Sequence, residues 1–201
     1  MKIKDLMIPD PITITEKATI ADAIDLMKVN SIRHLPVVTP KNLLKGFVTL
    51  ADLKQGLIPS MVGNLTLTDL MIKRPITVTP DDDIEIAAQL IYKHKIGGMP
   101  VVKNHKPVGI ITESDILRAF IDMMGILTAS SRIDVVVENK PGAFKKASQV
   151  IQDKGGDIIN VGMVGQQSSK RTYYFRLFSC DTRIIKAALE KQGFKVLNAM
   201  D

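Results

Sequence analysis

The chain has no tryptophan, a single cysteine and only three histidines in 201 residues. Each shortage closes a class of chemistry. One thiol, Cys180, cannot form an intramolecular disulfide, and His34, His94 and His105 are too scattered to offer metal-ligand spacing. Aromatic residues make up 4% of the chain, so a core must be assembled from Ile, Val, Leu and Met, and bases would find few rings to stack on. Nowhere do about 18 apolar residues run together, and the opening Met-Lys-Ile-Lys-Asp lacks the apolar run of a signal peptide. Gly-x-Ser-x-Gly, the P-loop and Gly-x-Gly-x-x-Gly are all missing, and Cys180 in its apolar run reads as a packing residue. The expectation is a cytoplasmic protein that is not an enzyme, with no catalytic residue and no metal.

What is present fits a folded globular chain: 45% apolar and 24% charged residues. The formal charge of +6 is unevenly spread. Up to Leu127, 15 Lys and Arg face 14 Asp and Glu; beyond it, 12 face 7. A basic last third leaves open an alternative reading, an interaction adaptor that binds protein or nucleic acid. The shortage of aromatics argues against nucleic acid.

The first two-thirds is a duplication. Asp-Leu-Met-Ile opens copies at Asp5 and Asp69, and Pro-Ile-Thr-x-Thr follows at Pro11 and Pro75. Ile-x-x-Ala-x-x-Leu recurs at Ile20 and Ile84, Pro-Val-Val at Pro36 and Pro100, and Gly-x-x-Thr-x-x-Asp at Gly46 and Gly109. Apolar spacing predicts a helix after Ile20 and after Ile84. Strands are expected at Leu35–Val38 and Phe47–Leu50, and again at Met99–Val102 and Val108–Ile111, each pair followed by a second helix. Each copy therefore reads strand–helix–strand–strand–helix, too small to bury its sheet alone. The Asp81-Asp82-Asp83 run reads as a helix cap with a favourable dipole interaction rather than a metal site.

Thr-x-x-Asp at a strand-to-helix junction is by itself a capping box. The same geometry lets a carboxylate accept two hydrogen bonds from a ribose diol beside free backbone N–H groups. Both roles stay open on spacing alone. The recurring Pro-Ile-Thr, Pro-Val-Val and Gly-x-x-Thr-x-x-Asp motifs resemble a tandem pair of CBS domains, the Bateman module, over Met1 to Leu127. The boundaries expected are 1–62 and 63–127. The resemblance implies adenosine-type ligands (AMP, ADP, ATP, NAD, S-adenosylmethionine or cyclic di-AMP) in clefts between the copies, and a homodimer. It assigns one site to Thr49, Ala51 and Asp52 with Arg33, His34 and Thr77. A second is assigned to Thr112, Ser114 and Asp115 with Thr13 and the Gly97–Gly98 loop, and Arg118 stands by as a cation.

Gly125–Ser131 reads as a linker. The rest, 132–201, has the order βαββαβ, with strands at Ile133–Val137, Ile158–Gly165, Thr172–Cys180 and Val196–Asn198. A helix begins at Ala143, and Thr182 is expected to cap another. Strand, Pro-Gly-x-Phe, helix and Gly-Gly-Asp-Ile resemble an ACT domain of ferredoxin-like layout. The fold class expected is therefore α+β, a CBS pair plus an ACT domain. That resemblance implies dimerisation or an amino-acid site near Pro141, Gly142 and Asp157, although Asp157 stands where the family often has Asn. A CBS pair and an ACT domain in so short a chain resemble the accessory proteins of acetoin utilisation, which implies a regulatory role in acetoin catabolism.

Overall fold

A computed structural model describes residues 1–55, 65–127, 130–165 and 169–201. It divides into two compact units, Met1–Leu117 and Arg118–Asp201.

In the first unit, copy one contributes β1 (Ile8–Pro9), β2 (Ile14–Thr15), α1 (Ile20–Val29), β3 (His34–Val38), β4 (Leu44–Thr49) and α2 (Leu50–Gln55). Copy two contributes α3 (Leu67–Leu70), α4 (Ile84–His94), β5 (Gly98–Lys103), β6 (Lys106–Thr112) and α5 (Glu113–Met123), the last running past the unit boundary. Thr19 caps α1, and Ala23, Ile24 and Met27 form its buried stripe, the spacing that predicted the helix. The β5–β6 hairpin turns on Asn104 and His105, both at positive φ, as a two-residue turn between right-twisted strands requires.

The copies exchange their opening segments. Across the two three-stranded sheets the hydrogen-bonded orders are β2-β3-β4 and β1-β6-β5, so β1 of copy one lies in the sheet of copy two. Ile8 pairs with Ile110 and Pro9 with Gly109; reciprocally, Ile72 bridges Phe47. Leu67 and Met71, from the start of copy two, sit in the core of copy one with Ala23, Met27, Leu35 and Leu53. The glycines of the Gly-x-x-Thr-x-x-Asp motif make room for this. A Cβ at Gly46 would lie 2.5 Å from Sδ of Met71, and one at Gly109 the same distance from Sδ of Met7.

This exchange also uses the acidic run. Asp83 occupies the N-cap position of α4, but its side chain makes no capping hydrogen bond. It pairs instead with Lys2 at 2.9 Å, while Asp81 pairs with Lys4 at 2.8 Å and Asp82 accepts from the Thr79 N–H. These pairs hold the carboxyls of Asp81 and Asp83 below the usual carboxylate range. The capping expectation is corrected: fully exposed carboxylates are drawn to the nearest cations.

The second unit contains β7 (Ser131–Glu138), α6 (Ala143–Asp153), β8 (Ile158–Val164), β9 (Lys170–Leu177), α7 (Thr182–Lys191) and β10 (Lys195–Met200). The sheet is antiparallel throughout in the order β10-β7-β9-β8, the layout expected of βαββαβ. Ile133, Val135 and Val137 face Ala147, Ile151, Ile185 and Leu189 in a closed core. Thr182 does not cap α7. Asp181 does, accepting from the Arg183 N–H, while buried Thr182 donates from N–H and Oγ1 to Oδ1 of Asp201 at 2.8 and 2.7 Å. The expected linker extends into β7 at Ser131, whose Oγ hydrogen-bonds both backbone groups of Cys180; residues 128–129 of that linker lie outside the described residues. Among the described residues no helix is long and apolar enough to cross a membrane, and no group of three or more His, Cys, Asp or Glu is arranged to hold a metal ion.

Leu67 is fully buried in a core built otherwise by copy one. Leu67→Ala is therefore expected to destabilise the first unit by about 2–5 kcal/mol, lowering its urea midpoint. A loss below about 1 kcal/mol would show that the exchanged segment contributes little to that core.

Candidate functional site

Among the described residues of the first unit, Thr-x-x-Asp capping boxes occur at four places: Thr19/Asp22, Thr49/Asp52, Thr66/Asp69 and Thr112/Asp115. The motif alone therefore marks helix starts. Among the described residues, Thr49/Asp52 borders one cleft and Thr112/Asp115 another.

At both, the cap uses one carboxylate oxygen. Oδ2 of Asp52 accepts from the Thr49 N–H (2.9 Å) and Oγ1 (2.7 Å), and Oδ2 of Asp115 accepts from the Thr112 N–H (2.8 Å) and Oγ1 (2.6 Å). Among the described residues, Oδ1 of each makes no hydrogen bond. The cap locks the carboxyl group in place with a second acceptor to spare, which suits it to a diol.

The first cleft, about 550 Å³, is bordered by Thr49, Ala51 and Asp52 together with Arg33 and His34. Its opposite side is Gly97, Gly98 and Glu113, and Lys54 and Lys95 stand at its rim. The second, about 440 Å³, joins Thr112, Ser114 and Asp115 to Asp10, Pro11 and Ile12 of copy one. Arg33 and His34 border this cleft too. The exchange of opening segments is what brings Ile8 to Ile12 there; Ile72 is the matching residue in the first cleft.

Several placements differ from the sequence expectation. Gly97 and Gly98 border the first cleft rather than the second, because the two repeats meet at this point: a Cβ on Gly97 would lie 3.3 Å from Nε2 of His34. The large side chain of one copy occupies the space left by glycine in the other. Thr13 and Thr77 line neither cleft among the described residues; Thr13 borders a separate hollow with Asn42 and Lys106. Side chains alternate along an extended segment, so with Ile12 toward the cleft, Thr13 points the other way. Arg118 is exposed on α5 and borders neither cleft. Pro141 and Gly142 precede α6 and Asp157 follows it, so in one chain an 11-residue helix of about 16 Å separates them. Asp157 uses its carbonyl to accept from the Phe178 N–H. Residues overlooked in the sequence are Asp10, Ser31, Lys54, Lys95 and Glu113. Their signal was available: the repeat aligns Asp10 with Arg74, Ser31 with Lys95, Lys54 with Leu117 and Leu50 with Glu113, so the copies differ in charge at each.

His34 stacks on Phe47 with ring centres 5.8 Å apart. Burial, and then the neighbouring Arg33 cation, lower its pKa below the ordinary 6.5; Glu113, Asp52 and Asp115 pull weakly the other way. The folded chain thus withholds a proton that the unfolded chain takes up. Stability from this group is full above pH 6.5 and falls as the pH drops toward the lowered value. A proton NMR titration is expected to find the His34 midpoint below 6.5, moving upward in Arg33→Ala. A midpoint at or above 6.5 in the unaltered protein would contradict this.

The CBS domain model matches residues 3–58 and 67–122. A homoserine O-acetyltransferase of Methanocorpusculum labreanum is 37% identical over 114 residues, which are 56% of this chain and 23% of that enzyme. The chain thus spans less than a quarter of the length of that curated relative. Among solved structures, the CBS domain pair of protein MJ0100 in complex with 5′-methylthioadenosine and S-adenosyl-L-methionine is 30% identical, with a TM-score of 0.56, over 60% of this chain and 95% of that one. A Vibrio cholerae protein assigned to acetoin utilization, AcuB, is 33% identical with a TM-score of 0.58, over 63% and 96%. CBSX2 of Arabidopsis thaliana in complex with AMP is 28% identical with a TM-score of 0.53, over 60% and 96%. With two matched CBS domains covering more than half of its length, the chain belongs to the CBS-domain family.

Proposed function

We propose that this is a non-enzymatic, cytoplasmic regulatory protein whose first unit binds adenosyl ligands in the two clefts. The observation that carries the reading is the spare Oδ1 of Asp52 and of Asp115, each on a carboxyl group already fixed by its own cap at the edge of a cleft. A fixed carboxylate accepts charge-assisted hydrogen bonds from vicinal hydroxyls without first being immobilised. The apolar residues of the clefts, Ile72 and Ile96 in one and Ile8 and Ile12 in the other, suit the faces of a purine. The adenosyl ligands in the MJ0100 and CBSX2 complexes support the same ligand class.

The second unit serves on this reading as an ACT-type module. Its outer strands β8 and β10 are edges that a second copy would cover, giving a homodimer. An amino-acid site would then combine Pro141 and Gly142 of one copy with Asp157 of the other. The likeness to AcuB supports a place in acetoin catabolism, where ligand occupancy would shift the chain between states that an unidentified protein target distinguishes.

The test is thermal shift and calorimetry on the full chain against AMP, ADP, ATP, NAD, S-adenosylmethionine, 5′-methylthioadenosine and cyclic di-AMP. At least one is expected to bind, and Asp52→Asn or Asp115→Asn to weaken it by about 10- to 100-fold. No binding to a chain verified as folded, or unchanged affinity in the double variant, would end the proposal.

A further inference from the structure

The two clefts present the same sugar-binding carboxylate in opposite electrostatic settings. Among the described residues of the first cleft, the cations Arg33, Lys54 and Lys95 outnumber the anions Asp52 and Glu113. In the second, Arg33 alone faces Asp10 and Asp115. The duplication makes the contrast one of matched positions. Lys95 has Ser31 as its counterpart, and Ser31 borders the second cleft; Lys54 has Leu117; Asp10, beside the second cleft, has Arg74. Each of these three replacements makes the first cleft more positive or the second more negative; the remaining one, Glu113 of the first cleft matched by Leu50, runs the other way and still leaves the first cleft with one cation in excess among the described residues.

We infer that the first cleft takes a phosphorylated nucleoside, whereas the second takes an adenosyl compound without phosphate, whether uncharged or a sulfonium cation. This rests on the adenosyl-binding reading above and assigns a ligand class to each of its sites. A phosphate dianion in the first cleft meets two lysines and an arginine, with Glu113 the only anion besides the sugar-binding Asp52 among the described residues. The same group in the second cleft would stand near Asp10 and Asp115, with one shared cation to offset both. For a neutral nucleoside those carboxylates carry no such penalty, and for a sulfonium they are attractive. Lys54 and Lys95 are exposed, and Nζ of Lys95 lies 4.9 Å from the centre of the Tyr92 ring, so neither lysine is committed to an ion pair among the described residues. Both remain able to meet an anion.

Calorimetry with the full chain, using AMP and 5′-methylthioadenosine as probes, separates the outcomes. The Lys54→Ala, Lys95→Ala double variant is expected to bind AMP about tenfold more weakly and 5′-methylthioadenosine unchanged. Asp52→Asn is expected to weaken AMP selectively, and Asp115→Asn to weaken 5′-methylthioadenosine selectively. Raising the salt concentration is expected to weaken AMP alone. AMP affinity that ignores the lysines, or falls equally in the two Asp→Asn variants, overturns the assignment while leaving adenosyl binding in place. Binding of neither probe to a chain folded by circular dichroism overturns the inference, and with the wider ligand panel equally silent, the adenosyl reading as well. Because both lysines are exposed surface residues, the double variant is expected to keep the parental melting temperature, which separates lost binding from lost folding.

Discussion

The reciprocal exchange of opening segments is the constraint on which the first unit depends. Each copy sends a short Asp-Leu-Met-Ile segment onto the sheet of the other, where the methionine packs against a glycine, Met7 on Gly109 and Met71 on Gly46. A copy alone would lack part of its core: without Leu67 and Met71, the cluster around Leu35 and Leu53 would face solvent. The exchange also builds the sites. Ile8, Asp10 and Ile12 reach the second cleft only because β1 is paired to β6, and Ile72 reaches the first only because it bridges Phe47. Folding of the pair and formation of the clefts are one event.

A capping box and a ligand site are usually weighed as alternatives, yet one carboxylate can serve both because it has two oxygens. Oδ2 of Asp52 and Asp115 is taken by the threonine N–H and hydroxyl, which holds the carboxyl group in a single orientation. Ordering of that side chain is then part of folding, and the ligand does not have to bear its entropy. Asp22 and Asp69 are held by threonines in the same way, but among the described residues neither borders either of the two clefts. Position within the fold, rather than the motif, separates a carboxylate that faces a cleft from one that only caps a helix.

Much of this was legible in the sequence, and what escaped did so for a physical reason. The internal repeat exposed the pair of domains, because identities such as Pro36/Pro100 and Asp52/Asp115 recur in register. Helical spacing located α1, α4, α6 and α7 to within a residue or two, since each buries one apolar stripe. The exchange was invisible because a two-residue strand such as β1 has too short a pattern to announce its partner. For the same reason Gly97–Gly98 was assigned to the wrong side of the repeat interface. Hydrogen-bond register ties Gly98 to Thr112, while the neighbouring Gly97 leaves its side-chain space to His34, and both glycines border the first cleft. The Asp81 to Asp83 run reads in the sequence as a helix cap, but Lys2 and Lys4, which pair with Asp83 and Asp81, are remote in sequence and enter only through tertiary structure.

The two copies differ in side-chain charge where the fold leaves them free to differ. Thr49 and Thr112, and Asp52 and Asp115, are held to type by the helix start that each pair must cap, and Gly46 and Gly109 by the methionine packed against them. Residues that only border a cleft carry no such duty. Lys54 and Leu117 are both exposed on their helices, and Ser31 and Lys95 both occupy the left-handed turn that follows one, φ 54° and 55°. At such positions a charge can appear or vanish without disturbing the core, so a duplicated site can change what it attracts while keeping how it grips. His34 and Gly97 are the exception that tests this logic. They meet across the repeat interface, where a Cβ on Gly97 would crowd the His34 imidazole at 3.3 Å, so here packing favours a glycine in one copy opposite a large side chain in the other.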